Sequence, residues 1–195
     1  MNARFLPLAA PLVLSLSGCI SFGAKPPPTL LTLSPSAPVP VGNAQDSAAA
    51  KSIVIDVPVV PQSLATARIP VQATPTSIAY VKDAVWAEPP ARLFARLVSD
   101  TITTRTGRVV LSPVQALGDP SARLGGELRT FGIDAATSMA VVTFDAALTR
   151  VNDRLEKRRF EARVPIATID ATASGTALNE AANQVAVEVA DWVGR

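Results

Sequence analysis

Histidine is absent from the 195-residue chain. Its absence removes both the commonest general acid/base and the commonest metal ligand, and it excludes a Ser-His-Asp triad. A Ser–Lys site remains formally open, with no motif to support it. Asp134, Asp145, Asp153 and Asp170 are scattered acids, and nothing pairs two of them for acid/base work. There is one cysteine, Cys19, so no internal disulfide forms, and a lone thiol in a secreted protein is a liability unless it is used. Charge is also scarce: charged residues make up 17% and the formal net charge is +2, which gives no electrostatic case for a nucleic-acid partner. No Gly-rich loop ends in Gly-Lys-Ser/Thr, so no ATP site is visible. The glycine pair Gly125-Gly126 falls inside a predicted strand and reads as a bulge or a close backbone contact. No residue is therefore assigned to catalysis, to a metal or to a cofactor.

What the chain does have begins at the N-terminus. Met1 to Arg4 carries one positive side chain, and Phe5 to Leu16 is apolar apart from Pro7, Pro11 and Ser15. That run has signal-peptide length and is too short to span a bilayer as a helix. It ends in Leu16-Ser17-Gly18-Cys19, which resembles the bacterial lipobox: a branched aliphatic residue, two small residues, then the cysteine that receives the lipid. We therefore expect residues 1–18 to be a lipoprotein signal peptide and Cys19 to be the lipidation site, bearing diacylglycerol and palmitate-type chains. Several acyl chains, at about 0.8 kcal/mol per buried methylene, make a stable anchor where one would be marginal. Ile20 follows the cysteine instead of the aspartate that favours inner-membrane retention in enterobacteria-like sorting, which points to the periplasmic face of the outer membrane. Residues 19–28, with Gly23 and three consecutive prolines, read as a tether.

Residues 29–195 read as a single domain. Short strands are expected at Thr29 to Ser34, Ser52 to Val57, Arg68 to Ala73 and Ser77 to Trp86, with a loose loop from Pro35 to Ala50. Glu88-Pro89-Pro90 opens a helix whose Leu93, Leu97 and Thr101 row lies beside Phe94, Val98 and Ile102, and Gly107 ends it. Arg108 to Ser112 is a further strand, followed by a turn region from Pro113 to Pro120. Ala122 to Ile133 alternates but slips phase, which places a bulge near Arg129. Met139 to Val151 and Leu155 to Ile166 alternate cleanly about an Asn152-Asp153 turn. A last helix runs from about Thr176 to Val193. This order predicts an α+β fold, a mostly antiparallel sheet with two helices packed on one face.

Two features stand out as candidate interaction sites. Arg150, Arg154, Lys157, Arg158, Arg159 and Arg163 cluster around the predicted hairpin and suit anionic lipid headgroups or an acidic partner. A solvated strand face, with Glu156 and Glu161 interleaved, explains them equally well. Trp86 suits a partner anchor, although a core or helix-capping role is favoured, because large aromatics dominate cores as well as interfaces.

The chain also resembles the ABC-type transport auxiliary lipoproteins over nearly all of its mature length. The resemblance rests on Leu30-Leu31-Thr32-Leu33, on Ile53-Val54-Ile55-Asp56-Val57-Pro58, and above all on Val85-Trp86-Ala87-Glu88-Pro89-Pro90 followed by Leu93 and Leu97. Ala177-Leu178-Asn179 and Asp191-Trp192-Val193 in the last helix fit as well. One departure is Pro61-Gln62-Ser63-Leu64, which stands where a tyrosine-containing turn is expected; Tyr80 is the only tyrosine. The resemblance implies a non-enzymatic role, that of an outer-membrane lipoprotein that serves an ABC transporter with MCE-domain periplasmic subunits. Such systems move lipids or other hydrophobic molecules between membranes. The partner implied is the MCE-domain subunit, and the assembly a homo-oligomer. A lipoprotein chaperone or plug of an outer-membrane assembly machine is the alternative.

Overall fold

The computed structural model describes residues 29–42, 44–46, 50–116 and 120–194. The expected signal peptide, Cys19 and the expected tether lie outside the described residues, as do parts of the two predicted loops.

Period-2 alternation builds the centre of the domain. Strands β5 (Ala122–Asp134), β6 (Met139–Arg150) and β7 (Arg154–Pro165) form an antiparallel meander; a single 3-10 turn, Val151–Asp153, joins the last two. Val142, Phe144, Ala146 and Leu148 of β6 face the core together with Phe160, Ala162 and Val164 of β7. The phase slip in β5 is a bulge: the register to β6 shifts between Leu128 and Thr130, leaving Arg129 as the extra residue. Both Leu124 and Leu128 before the bulge and Phe131 and Ile133 after it are therefore buried.

The sheet has seven strands and is mixed, which corrects the mostly antiparallel expectation. The second edge of β5 is shared. Strand β1 (Ser52–Ile55) pairs parallel with it at Leu124, and β2 (Arg68–Thr74) pairs parallel with it at Ile133. Strand β4 (Val109–Leu111) adds parallel to β1, while β3 (Ser77–Val85) returns antiparallel to β2 through Thr74-Pro75-Thr76. Parallel neighbours need a crossover, and helix α1 (Pro90–Thr106) supplies it between β3 and β4. Strands as short as β1 and β4 carry no sequence signal of direction.

Helix α1 contains a Ser- and Thr-rich stretch of weak helix formers. The hydroxyls of Ser99, Thr101 and Thr106 donate to the carbonyls of Ala95, Leu97 and Ile102 at 2.8, 2.7 and 2.6 Å, and the Thr106 oxygen also accepts from the Arg108 N–H at 3.2 Å past the end of the helix. Gly107, at φ 66°, closes the helix in the left-handed conformation. Phe94 of α1 stacks edge-on against Phe144 at 5.2 Å, and Trp192 of helix α2 (Ala171–Val193) lies 5.6 Å from Phe160. Phe144 and Phe160 are register partners, so both helices cover one face of the sheet.

Helix α2 begins five residues before its expected start. Asp170 caps it, its carboxylate accepting from the Ala173 N–H at 2.9 Å. Hydrogen bonds from Thr168 and from the helix's first amides hold the Asp170 carboxyl below the ordinary aspartate range. A lowered folded-state pKa contributes stability that is present above the ordinary aspartate value and lost as pH falls through the folded one. Asp170→Asn should therefore lower the thermal midpoint at neutral pH, and the gap to the parent protein should shrink in melts taken below about pH 4.

The predicted first strand, Thr29 to Ser34, is reduced to one bridge between Leu31 and Trp86. The Leu31 N–H donates to the Val85 carbonyl at 2.9 Å, and the Ala87 N–H donates to the Leu31 carbonyl at 2.8 Å. Beyond Leu31 the chain follows α2. The side-chain oxygens of Asn179 and Asn183 accept from the Ser34 and Ser36 N–H groups at 2.8 Å each, and the Asn183 amide donates to the Ser34 carbonyl at 2.9 Å. Gly175, one turn earlier, leaves room for the Leu31 side chain. The segment gives up strand pairing because a helix face carrying asparagines four residues apart satisfies its backbone instead.

Candidate functional site

The face of the β5–β6–β7 meander turned away from the helices is the candidate interaction surface. Its side chains form rows across the three strands. One row joins Glu127, Asp145 and Arg159, and the next brings Thr143 against Glu161. Arg159 holds Asp145 with two hydrogen bonds, at 2.6 and 2.7 Å, and Arg129 from the bulge approaches the same carboxylate at 3.5 Å. The Arg159 hydrogen bond is the main reason that the Asp145 carboxyl sits below the ordinary range. Arg163 donates to Glu161 at 2.9 Å, as does the Thr143 hydroxyl, and Arg163 also lies 3.9 Å from Asp134. The Arg163 contact is likewise the main cause of the lowered Glu161 pKa. Beside these rows lies an open groove of about 400 Å³, with Leu64, Pro70, Ile78 and Val141 among its lining and Arg129 and Arg163 at its margin.

The six basic residues singled out in the sequence do not form one surface. Alternation sends Arg150, Arg154 and Arg158 to the helix side of the sheet, and Lys157, Arg159 and Arg163 to the opposite side. Arg150 is a structural residue. Its guanidinium donates to the Trp192 and Val193 carbonyls at 3.3 and 3.4 Å and to Glu156 at 3.1 Å. Arg108 joins it on the Val193 carbonyl at 3.3 Å, so two cations sit on the negative end of α2. Arg154 approaches Glu156 at 3.4 Å, and Arg158 lies over the Phe160 ring at 4.9 Å. Lys157 has no ion-pair partner among the described residues.

Trp86 is 1% exposed and packs edge-on against Phe131 at 5.6 Å. This is the core role, and its indole N–H has no hydrogen-bond partner among the described residues. The network residues Arg129, Asp145 and Asp134 were not identified as a group from the sequence; only the cross-strand register brings them together. Among the described residues no group of three acids could hold a metal ion, and no helix is long and apolar enough to cross a membrane.

No curated protein matches the chain. Among solved structures, the fold is similar to that of a Xanthomonas campestris protein of the DUF330 family, 22% identical, with a TM-score of 0.65 over 85% of this chain and 92% of that one. It is also similar to an uncharacterized protein at 15% identity, with a TM-score of 0.65 over 73% of this chain and 92% of the other. At such identities the likeness concerns the fold. The family model described as the ABC-type transport auxiliary lipoprotein component matches residues 31–190, which takes in every strand and all but the end of α2. The chain belongs to the ABC-type transport auxiliary lipoprotein family.

Proposed function

We propose that this protein is anchored by lipid on Cys19 to the periplasmic face of the outer membrane. There it serves an ABC transport system with MCE-domain subunits that carries lipids or other hydrophobic solutes between membranes. It acts by anchoring and by binding protein, as a homo-oligomer, and carries out no reaction of its own. The observation that carries this reading is a juxtaposition: a domain of the auxiliary lipoprotein family follows, a short Pro-rich tether away, the chain's only cysteine, at the end of Leu16-Ser17-Gly18-Cys19. The mixed-charge outer face of the meander supports a binding role, since its ion pairs are solvent-exposed and add little to stability.

Affinity purification of the tagged full-length protein from detergent-solubilised envelope, followed by mass spectrometry, tests this. An MCE-domain protein together with its permease or ATPase is the expected result. Recovery of an outer-membrane barrel or peptidoglycan enzymes alone would sink the transport reading in favour of an assembly-machine role. In the same strain, Cys19→Ser should move the protein from the membrane pellet to the soluble fraction.

A further inference from the structure

We propose that the free edge of β7 takes an extended acidic segment of a partner protein as an added strand. The proposal rests on the reading that this chain works by binding protein. Strand β7 pairs with β6 on one side, and among the described residues nothing pairs with its other side. The register to β6 is unbroken from Met139 opposite Pro165 to Arg150 opposite Arg154. Which backbone groups remain free follows from one bond. The Ile166 N–H donates to the Ser138 carbonyl at 3.0 Å, in line with that register. Antiparallel hydrogen bonds recur at every second pair. Arg154, Glu156, Arg158, Phe160, Ala162 and Val164 therefore spend their N–H and C=O groups on β6. Leu155, Lys157, Arg159, Glu161 and Arg163 turn theirs outward. Pro165 occupies the next outward position, where its missing N–H ends the open edge and costs no ladder bond.

The outward residues are also those whose side chains lie on the face opposite the helices. Backbone bonding and side-chain recognition are thus offered by the same five residues. A strand added here places the side chains of its bonded residues directly opposite Lys157, Arg159 and Arg163. Acids are favoured opposite Lys157, which is unpaired, and opposite Arg159. The intervening side chains of the added strand fall beside Phe160 and Ala162, where small or apolar groups extend the core.

A second copy of β7 fits poorly. In antiparallel self-pairing centred on residue 158, Lys157 would face Arg159; centred on 159, Arg159 would face itself. Centred on 160, Lys157 would face Arg163, and centred on 161, Arg159 would face Arg163 and Glu161 itself. Each arrangement opposes at least one pair of like charges, although the registers centred on 159 and 160 also set Lys157 or Arg159 opposite Glu161. An acidic strand meets Lys157 and Arg159 without any such like-charge contact between basic residues.

The test uses the acylated full-length protein in detergent micelles and two fluorescent octapeptides, one alternating valine and glutamate and the other valine and lysine. The glutamate peptide should bind saturably in anisotropy titrations, at least about tenfold tighter than the lysine peptide, and more weakly at high salt. On binding, amide exchange should slow at Lys157, Arg159 and Glu161, with little change at Arg158 and Phe160, whose amides are already bonded to β6. Lys157→Pro removes an outward N–H and should abolish binding. Lys157→Glu retains that N–H and should reverse the preference between the peptides, which keeps the test decisive if the proline variant fails to fold. No saturable binding of the glutamate peptide, or a preference unaltered by Lys157→Glu, overturns the proposal. If the parent protein still co-purifies with an MCE-domain subunit in that case, the edge assignment fails and the proposed function stands.

Discussion

Replacing Gly126 with alanine is expected to cost the fold roughly 3 kcal/mol or more, while the same change at Gly125 should be close to neutral. The two glycines adjoin in β5 and look alike in sequence. Gly126 has φ 141°, a conformation open to glycine and strained for other residues, and a Cβ there would run into the Asp145 carbonyl of β6. Its own carbonyl accepts from the Val59 N–H at 2.9 Å, so the backbone is held from a second side and has little freedom to retreat. At Gly125 a Cβ would meet Asp56 Oδ2 at 3.5 Å, an ordinary contact. Alanine there should even recover part of the conformational entropy that glycine loses on folding. Urea unfolding followed by far-ultraviolet circular dichroism separates the two. Equal effects at both positions would contradict the close β5–β6 approach.

A second large loss is expected at Trp86. Truncation to alanine should destabilise the domain by about 3–5 kcal/mol, the range for emptying a large aromatic site in a core. The indole meets Phe131 edge-on, and its backbone links the turn after β3 to two neighbours. The Trp86 N–H donates to the Ala67 carbonyl at 2.7 Å, and Leu31 bridges to the same segment. Phenylalanine should cost far less than alanine. It keeps the aromatic contact and removes a buried N–H that lacks a partner, and such a donor costs about 1–3 kcal/mol. Unfolding midpoints for Trp86→Ala and Trp86→Phe measured side by side test this. If phenylalanine proved as damaging as alanine, the indole nitrogen would have a bonding role.

Much of the domain was legible in the sequence because its signals are local. The alternation in β6 and β7, the phase slip at Arg129, the prolines opening α1 and Gly107 closing it each rest on residues a few positions apart. Sheet direction was less legible. Whether β1 and β2 run with β5 depends on the connections through α1 and the turn region after β4, and neither the four residues of β1 nor the seven of β2 record that direction. The early start of α2 was hidden for another reason. Thr172, Ser174 and Gly175 are weak helix formers, and their segment becomes helical because Asp170 caps it and Leu31 packs on Gly175. The candidate surface was the least legible part. The six basic residues are neighbours in sequence, yet a sheet distributes consecutive residues to opposite sides. Arg159 is held by Asp145 of β6, which Arg129 of β5 also approaches, so their grouping exists only once the register is known. The free edge of β7 is likewise a property of pairing, not of composition.

The asparagine clamp on α2 sets the length of a leash. With lipid on Cys19, about ten residues lead to Thr29, a reach of at most about 35 Å when fully drawn out. The chain between Ser36 and β1 lies on the far side of the clamp, so its length adds nothing to the leash while Asn179 and Asn183 grip Ser34 and Ser36. Were that grip, the Leu31 bridge and the bond from the Gln45 side chain to the Arg108 carbonyl all released, the leash would run from Cys19 to β1, about 33 residues with a reach of about 110 Å. With the anchor proposed at Cys19, a few side-chain hydrogen bonds to the backbone would thus set how far the domain can stand from its membrane.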